Sequence, residues 1–159
     1  MANVKPIPEG SHTLTPHLVI RDAAKAIEFY SRAFGAEPKT IHKTPDGKIM
    51  HASMKIGDSI LFLADEFPAW HVLSPLSLNG SSVVLHIYTE DVDGLFQRAV
   101  NAGATATMPV ADQFWGDRYG KLKDPFGHEW SIATHKEDLS EEEVIQRGQK
   151  AFEQMAKQQ

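Results

Sequence analysis

Two histidines occupy matching places in the chain: His17 stands five residues before Asp22, and His86 stands five residues before Asp91. Imidazole titrates near neutrality, so a histidine in such a place can take up a proton, return it, or ligate a divalent ion. His51 offers the same acid/base chemistry on what reads as a strand. A partly exposed strand histidine without chemistry is the other reading of that residue. A further cluster is Phe114-Trp115-Gly116-Asp117-Arg118-Tyr119-Gly120. Trp115 and Tyr119 can wall a pocket for an organic molecule, and Arg118 can take a carboxylate or phosphate bidentately. A hairpin turn with a surface contact between Asp117 and Arg118 would use the same residues. The chain has no Gly-rich phosphate loop and no Gly-x-Ser-x-Gly elbow, which leaves nucleotide and serine-hydrolase chemistry without a motif. It has no cysteine either, so no thiolate nucleophile or thiolate metal site is available.

The elements that must position these groups occur twice. Thr15-Pro16-His17-Leu18-Val19-Ile20-Arg21-Asp22 is answered by Val84-Leu85-His86-Ile87-Tyr88-Thr89-Glu90-Asp91, 69 residues later. Residues 13–20 alternate as a strand, with Thr13, Thr15, His17 and Val19 on one face and Leu14, Leu18 and Ile20 on the other. Asp22 is placed to cap a helix over 23–34, where Ala23, Ala26, Ile27, Tyr30, Ala33 and Phe34 follow a 3.6-residue period, and Gly35 ends it. Strands follow at 36–44, 48–56 and 59–65, joined by turns at Pro45-Asp46-Gly47 and Gly57-Asp58. Residues 66–81 read as a connector whose apolar side chains pack on the body. The second half repeats the order: a strand at 82–90, a helix at 91–102, and strands near 104–110, 117–123 and 128–134. Asp124-Pro125-Phe126-Gly127 is the last turn. His128 and Trp130 fall on the opposite face from Glu129 and Ser131, with Trp130 between sheet and helix. Ser140-Glu141-Glu142-Glu143 is a capping box opening a C-terminal helix at 140–157.

The expected fold is therefore α+β: one domain over residues 1–159, built from two tandem βαβββ modules (13–65 and 82–135), the connector 66–81 and the C-terminal helix. The 159 residues are 42% hydrophobic and 23% charged, ordinary for a globular protein with a sizeable core. A net charge of −5 supplies no basic surface for nucleic acid. The first twelve residues lack a signal-peptide pattern, and no apolar run approaches a membrane span. The expected setting is the cytoplasm, without a membrane partner.

Thr15-Pro16-His17-Leu18, Ala26-Ile27-Glu28-Phe29-Tyr30, Phe34-Gly35-Ala36, Glu90-Asp91-Val92-Asp93, Asp124-Pro125-Phe126-Gly127-His128 and Trp130-Ser131-Ile132-Ala133-Thr134-His135, in this order, resemble the vicinal-oxygen-chelate superfamily. That superfamily holds glyoxalase I, extradiol dioxygenases and bleomycin-resistance proteins, and the chain looks most like its branch named after the phosphonate-operon B protein. The resemblance implies two half-barrels curving around a shared pocket, a small-molecule ligand and a homodimer. In metal-using relatives a ligand lies on the first and last strand of each module. Carried over, those positions are Thr15, Val84, Ser131 and the stretch Ile60–Ala64, and none supplies a good ligand for a divalent ion. A displaced divalent-metal site would use His17, His86 and Glu129, with His51 as a fourth group. Without a metal, His17 and His86 line the pocket and hydrogen-bond a ligand, together with Thr15, Trp115, Arg118, Tyr119 and Ser131. The resemblance leaves two functions open: a lyase, isomerase or dioxygenase with His17, His51 and His86 as acid/base groups, or a protein that sequesters an antibiotic or toxin.

Overall fold

The structure, a computed structural model, describes residues 4–157. Strand β1 (His17–Ile20) leads into helix α1 (Ala23–Phe34), followed by β2 (Glu37–Lys43), β3 (Ile49–Ile56) and β4 (Ser59–Asp65). After a 3-10 turn (Pro68–Trp70) and a short helix α2 (Pro75–Leu78), the order repeats as β5 (Val84–Tyr88), α3 (Val92–Ala102), β6 (Thr105–Asp112), β7 (Asp117–Lys123) and β8 (Glu129–His135). Helix α4 (Glu141–Ala156) follows. Each βαβββ unit makes one mixed sheet, in the orders β1-β4-β3-β2 and β5-β8-β7-β6. The first and last strands of each unit pair in parallel, and the others pair antiparallel. This is the α+β architecture that the repeated pattern predicts.

Local chemistry sets the element ends. Asp22 adopts a left-handed backbone (φ 68°) and its side chain accepts the Lys25 N–H at 3.3 Å. Gly35, also left-handed at φ 67°, ends α1. Asp65 ties this helix to its sheet by accepting the N–H of Ala23 at 2.8 Å and of Ile49 at 2.6 Å. Ser140 and Glu143 form the capping box of α4. Strand β1 is shorter than the alternation over 13–20 predicts. Pro16 still accepts the Phe62 N–H through its carbonyl, but it has no N–H to donate, so the ladder stops there. Thr13, Leu14 and Thr15 consequently lie outside the strand.

The two units share one core. Its members come from both halves, including Leu18, Phe29, Phe34, Leu63, Leu122 and Trp130. Helices α1 and α3 pack against each other, and Arg98 of α3 donates to the backbone carbonyls of Ser31 and Arg32. Between the halves, the buried Tyr30 hydroxyl donates to Asp124 at 2.7 Å. The same carboxylate accepts Trp130 Nε1 and the N–H groups of Phe126 and His128, each at 2.9 Å. Buried Asp124 thus has four donors, which satisfies its desolvated oxygens.

The connector is clasped rather than loose. Glu66 takes the Arg21 guanidinium at 2.8 Å, the Ser77 hydroxyl at 2.6 Å and the Ser74 N–H at 3.0 Å. Burial works against its charge, yet the hydrogen bonds from Ser77, Arg21 and Ser74 hold the carboxyl down to about 2. Helix α4 meets the body where Gly148 faces the Phe114 ring and where Arg147 pairs with Glu137 at 3.0 Å.

Candidate functional site

Helices α1 and α3 cover one face of each sheet, and strand alternation sends His17, His51, His86, Ser131 and Tyr119 to the other face. In the first sheet His17 is level with Phe62, Phe62 with Ser53, and Ser53 with Thr40. His51 lies two residues from Ser53 on β3, so it shares their face, and it is level with His42 on β2. Ring centroids there are close: His17–His51 at 6.0 Å, His42–His51 at 6.3 Å and His51–Phe62 at 4.8 Å. Burial, and then the neighbouring His51, depress the His17 pKa.

In the second sheet His86 is level with Ser131, and Tyr88 with Ala133, which is level in turn with Tyr119. His86 Nδ1 and Ser131 Oγ are 2.7 Å apart, with the serine buried. The His86 ring lies 4.5 Å from Tyr88 and 6.0 Å from Tyr119, and Trp115 stands 5.4 Å from Tyr119. Buried Asp117 fixes this wall from behind. It accepts the Tyr88 hydroxyl at 3.1 Å, Trp115 Nε1 at 3.2 Å and His135 Nδ1 at 2.8 Å. His135 also contacts Asp138 through Nε2 at 3.0 Å, and hydrogen bonds to Asp117 and Asp138 raise its pKa. The bond to Asp117 likewise raises the Tyr88 phenol. Burial lowers the His86 pKa, with Asp117 opposing the shift. The neutral imidazole is therefore favoured there at physiological pH.

The register aligns the halves residue by residue. His86 pairs with Ser131 where His17 pairs with Phe62. One face therefore carries two imidazoles around a phenyl ring, and the other an imidazole bonded to a hydroxyl among aromatic rings.

Of the sequence candidates, the structure brings together His86, Ser131, Tyr119 and Trp115, and separately His17 and His51. It places the other candidates differently. Arg118 alternates to the far face of its strand. Its guanidinium donates twice to Asp93, at 2.7 Å each, and once to Asp112 at 3.1 Å. The free fork that a bound acid would need is taken, and the partners are not Asp117. Glu129 is level with Val84, one strand step from Ser131, and stands 3.6 Å from the Lys123 ammonium. His17 and His86 belong to different sheets. Among the described residues no three His, Asp or Glu side chains gather where they could hold a metal ion. The set His17, His86 and Glu129 is thus not assembled within the chain, and Phe62 and Ser131 stand level with the two histidines where carboxylates would be needed. These donors do not fit the divalent ion that the resemblance implies.

Sequence reasoning did not single out Tyr88, His42 or Phe62, and it gave Asp117 only a surface contact. Tyr88 was readable, since it alternates with His86. The triple acceptance by Asp117 was not, because its donors come from β5, β8 and the turn before β7.

Thr15 has a different place. It lines a cavity of about 1460 Å³ between the modules, together with His17, Leu78, Val83 and His86. The cavity is bounded by the outer edges of β1 and β5, which pair with no other strand among the described residues. His86 belongs to both surfaces: it lines the cavity and touches the aromatic wall.

Comparison with known proteins places this geometry. The family model of the Glyoxalase/Bleomycin resistance protein/Dioxygenase superfamily matches residues 11–132. The chain is 44% identical over 134 residues to an uncharacterized protein of Mycobacterium tuberculosis, covering 82% of this chain and 79% of that protein. Among solved structures it resembles TioX from Micromonospora sp. ML1, with a TM-score of 0.63, 25% identity, and coverage of 79% of this chain and 99% of that one. It also shares its fold with TnmS3, an antibiotic binding protein from Streptomyces sp. CB03234, with a TM-score of 0.59, 23% identity, and coverage of 79% and 97%.

Proposed function

This chain belongs to the Glyoxalase/Bleomycin resistance protein/Dioxygenase superfamily, and from that premise we propose that it binds a small planar organic molecule where the inter-module cavity meets the aromatic face of the second sheet. One observation carries this reading: the bonded pair His86–Ser131 sits among Tyr88, Tyr119 and Trp115, and Asp117 fixes Tyr88 and Trp115. Aromatic walls with one convergent polar pair suit a flat ligand that stacks and makes few hydrogen bonds. Binding of this kind needs no metal ion. It agrees with the sequestering role open to the superfamily, and TnmS3 is an antibiotic binder on the same fold. Titration with a panel of planar heteroaromatic compounds, followed by tryptophan fluorescence, tests it. W115F should remove most of the quenching, and Y119L should weaken binding at least about tenfold through lost stacking. Binding indifferent to both substitutions would place the ligand elsewhere.

A second reading rests on the His86 pKa. A neutral imidazole whose Nδ1–H donates to the Ser131 hydroxyl leaves Nε2 to accept a proton from a bound ligand, as an isomerase or lyase requires. Under this reading H86Q abolishes turnover while leaving ligand affinity within a few-fold. His51, on the other sheet, would act in a separate half of the site.

We further propose a cytoplasmic homodimer. Among the described residues the outer edges of β1 and β5 pair with no other strand, and Val84 and Tyr88 on β5 are 46% and 64% exposed. Open apolar edges of this kind invite a second copy. Sedimentation equilibrium giving a mass near 17.7 kDa at micromolar concentration would contradict the dimer.

A further inference from the structure

Helix α4 stands apart from the shared core. Against its own chain it rests Gly148 on the Phe114 ring, pairs Arg147 with Glu137, and holds the Phe152 ring 5.9 Å from that of Phe114. These contacts use one side of the helix. Alongside them Ile145, Phe152 and Met155 remain 53%, 63% and 56% exposed. Ile145 and Phe152 are seven residues apart, so they stand nearly in line two turns from each other, and Met155 follows three residues on. A 16-residue helix is marginal alone in water and draws its stability from burying such a face. No described residue of α4 lines the cavity between the modules. The apolar face of α4 is therefore separate from the open edges of β1 and β5.

We propose that this face is an interaction surface whose partner is α4 of a second copy of this chain, packed antiparallel about a two-fold axis beside Gln149. The face is self-complementary in that arrangement, as a two-fold contact requires. With the axis between Gly148 and Gln149, Ile145 is level with the partner subunit's Phe152, and Phe152 with the partner subunit's Ile145. Charge sets the direction. The helix starts with Glu141, Glu142 and Glu143, and its second half carries Lys150 and Lys157 beside the single acid Glu153. Antiparallel packing sets the acidic start against the basic end and opposes the helix dipoles, whereas parallel packing would set three acids against the same three. Gln149 is exposed and uncharged, which permits close approach at the axis. One helix face is smaller than the roughly 800 Å² per partner of a standard interface, so the pairing depends on concentration. It goes beyond the pairing of the β1 and β5 edges and does not need it. Where both contacts form, their two different axes close a tetramer.

The full chain has no cysteine, so one introduced thiol reports one position. Q149C, oxidised at high protein concentration, should give a disulfide-linked dimer, because positions beside the axis come within the about 7 Å between Cα atoms that a disulfide allows. E142C should stay unlinked, because antiparallel packing holds its two copies about 20 Å apart along the helix. Both side chains are exposed, so neither substitution disturbs a buried contact. Sedimentation equilibrium of the parent chain should show mass rising with concentration, and I145E combined with F152E should weaken that association at least about tenfold. If the strand edges also pair, the combined variant falls to a dimer of twice 17.7 kDa, and if they do not, it falls to the 17.7 kDa monomer. Failure of the edge contact is thereby distinguished from failure of the helix contact. Equal crosslinking of Q149C and E142C would overturn the antiparallel pairing. A mass indifferent to I145E and F152E, or no crosslink in Q149C, would mean that the face serves its own chain or another protein and would end the proposal.

Discussion

At the scale of single residues, His135 is the group whose ionisation the structure ties most openly to folding. It joins Asp117, which holds Tyr88 and Trp115, to Asp138 beyond the strand. Its folded pKa is raised above the ordinary 6.5. The contribution to stability is therefore complete below about 6.5 and is lost as pH rises through the higher folded value. Chemical denaturation between about pH 5.5 and 8.5 should show stability declining across neutrality, with the decline absent in H135Q. A flat profile in the parent chain would mean that Asp117 holds its place without the imidazolium. Ser131 makes the complementary point. Its hydroxyl is buried and bonded to His86, so S131A should cost about 1 kcal/mol and free the tautomer of His86, visible in its ring-nitrogen chemical shifts.

At the scale of elements, the helix-facing side of each sheet tolerates little change. A Cβ added at Gly120 would lie 2.8 Å from the Phe96 ring and 2.9 Å from Val110. G120A should destabilise by roughly 1–3 kcal/mol through overpacking of α3 on β7. A thermal melt unchanged by that substitution would show that α3 can shift outward without loss. The connector behaves as an element in its own right because Glu66 binds Arg21, Ser74 and Ser77 together. Its carboxyl is held at about 2 rather than 4.5, so this clasp stabilises above about 4.5 and is lost as pH falls from there toward 2. Proteolysis at residues 66–81 should accelerate in that acid window, and E66Q should bring the same susceptibility to neutral pH.

At the scale of the whole molecule, the two sheets depend on each other. Each buries its inner face against a core to which both contribute, and Asp124 links Tyr30 of the first half to Trp130 of the second. D124A would strand several buried donors and should cost about 3 kcal/mol or more. Unfolding should remain a single cooperative transition, with calorimetric and van't Hoff enthalpies equal. Two separable transitions would mean that the halves fold alone. The outer faces, by contrast, belong to different sheets. Substitutions around His51 and around Tyr119 should therefore add independently in stability.

Much of this was legible in the sequence. Periodicity and punctuation determined both βαβββ units, the cap at Asp22, the stop at Gly35 and the capping box at Ser140, because these depend on neighbours within a few residues. Alternation alone set His17 opposite Leu18 and Ile20, and Ser131 opposite Trp130, which it placed between sheet and helix. What the sequence did not determine depends on register and on contacts between distant segments. Pro16 cuts β1 short only because β4 requires an N–H there. Arg118 is engaged because β7 brings it beside Asp93 and Asp112. His86 meets Ser131 rather than Glu129, because parallel pairing sets one residue level with one other. The spacing of His17 and His86 announced a duplicated pair. Only the packing of the two helices against a common core decided that the pair lies on two sheets, each histidine with its own neighbours.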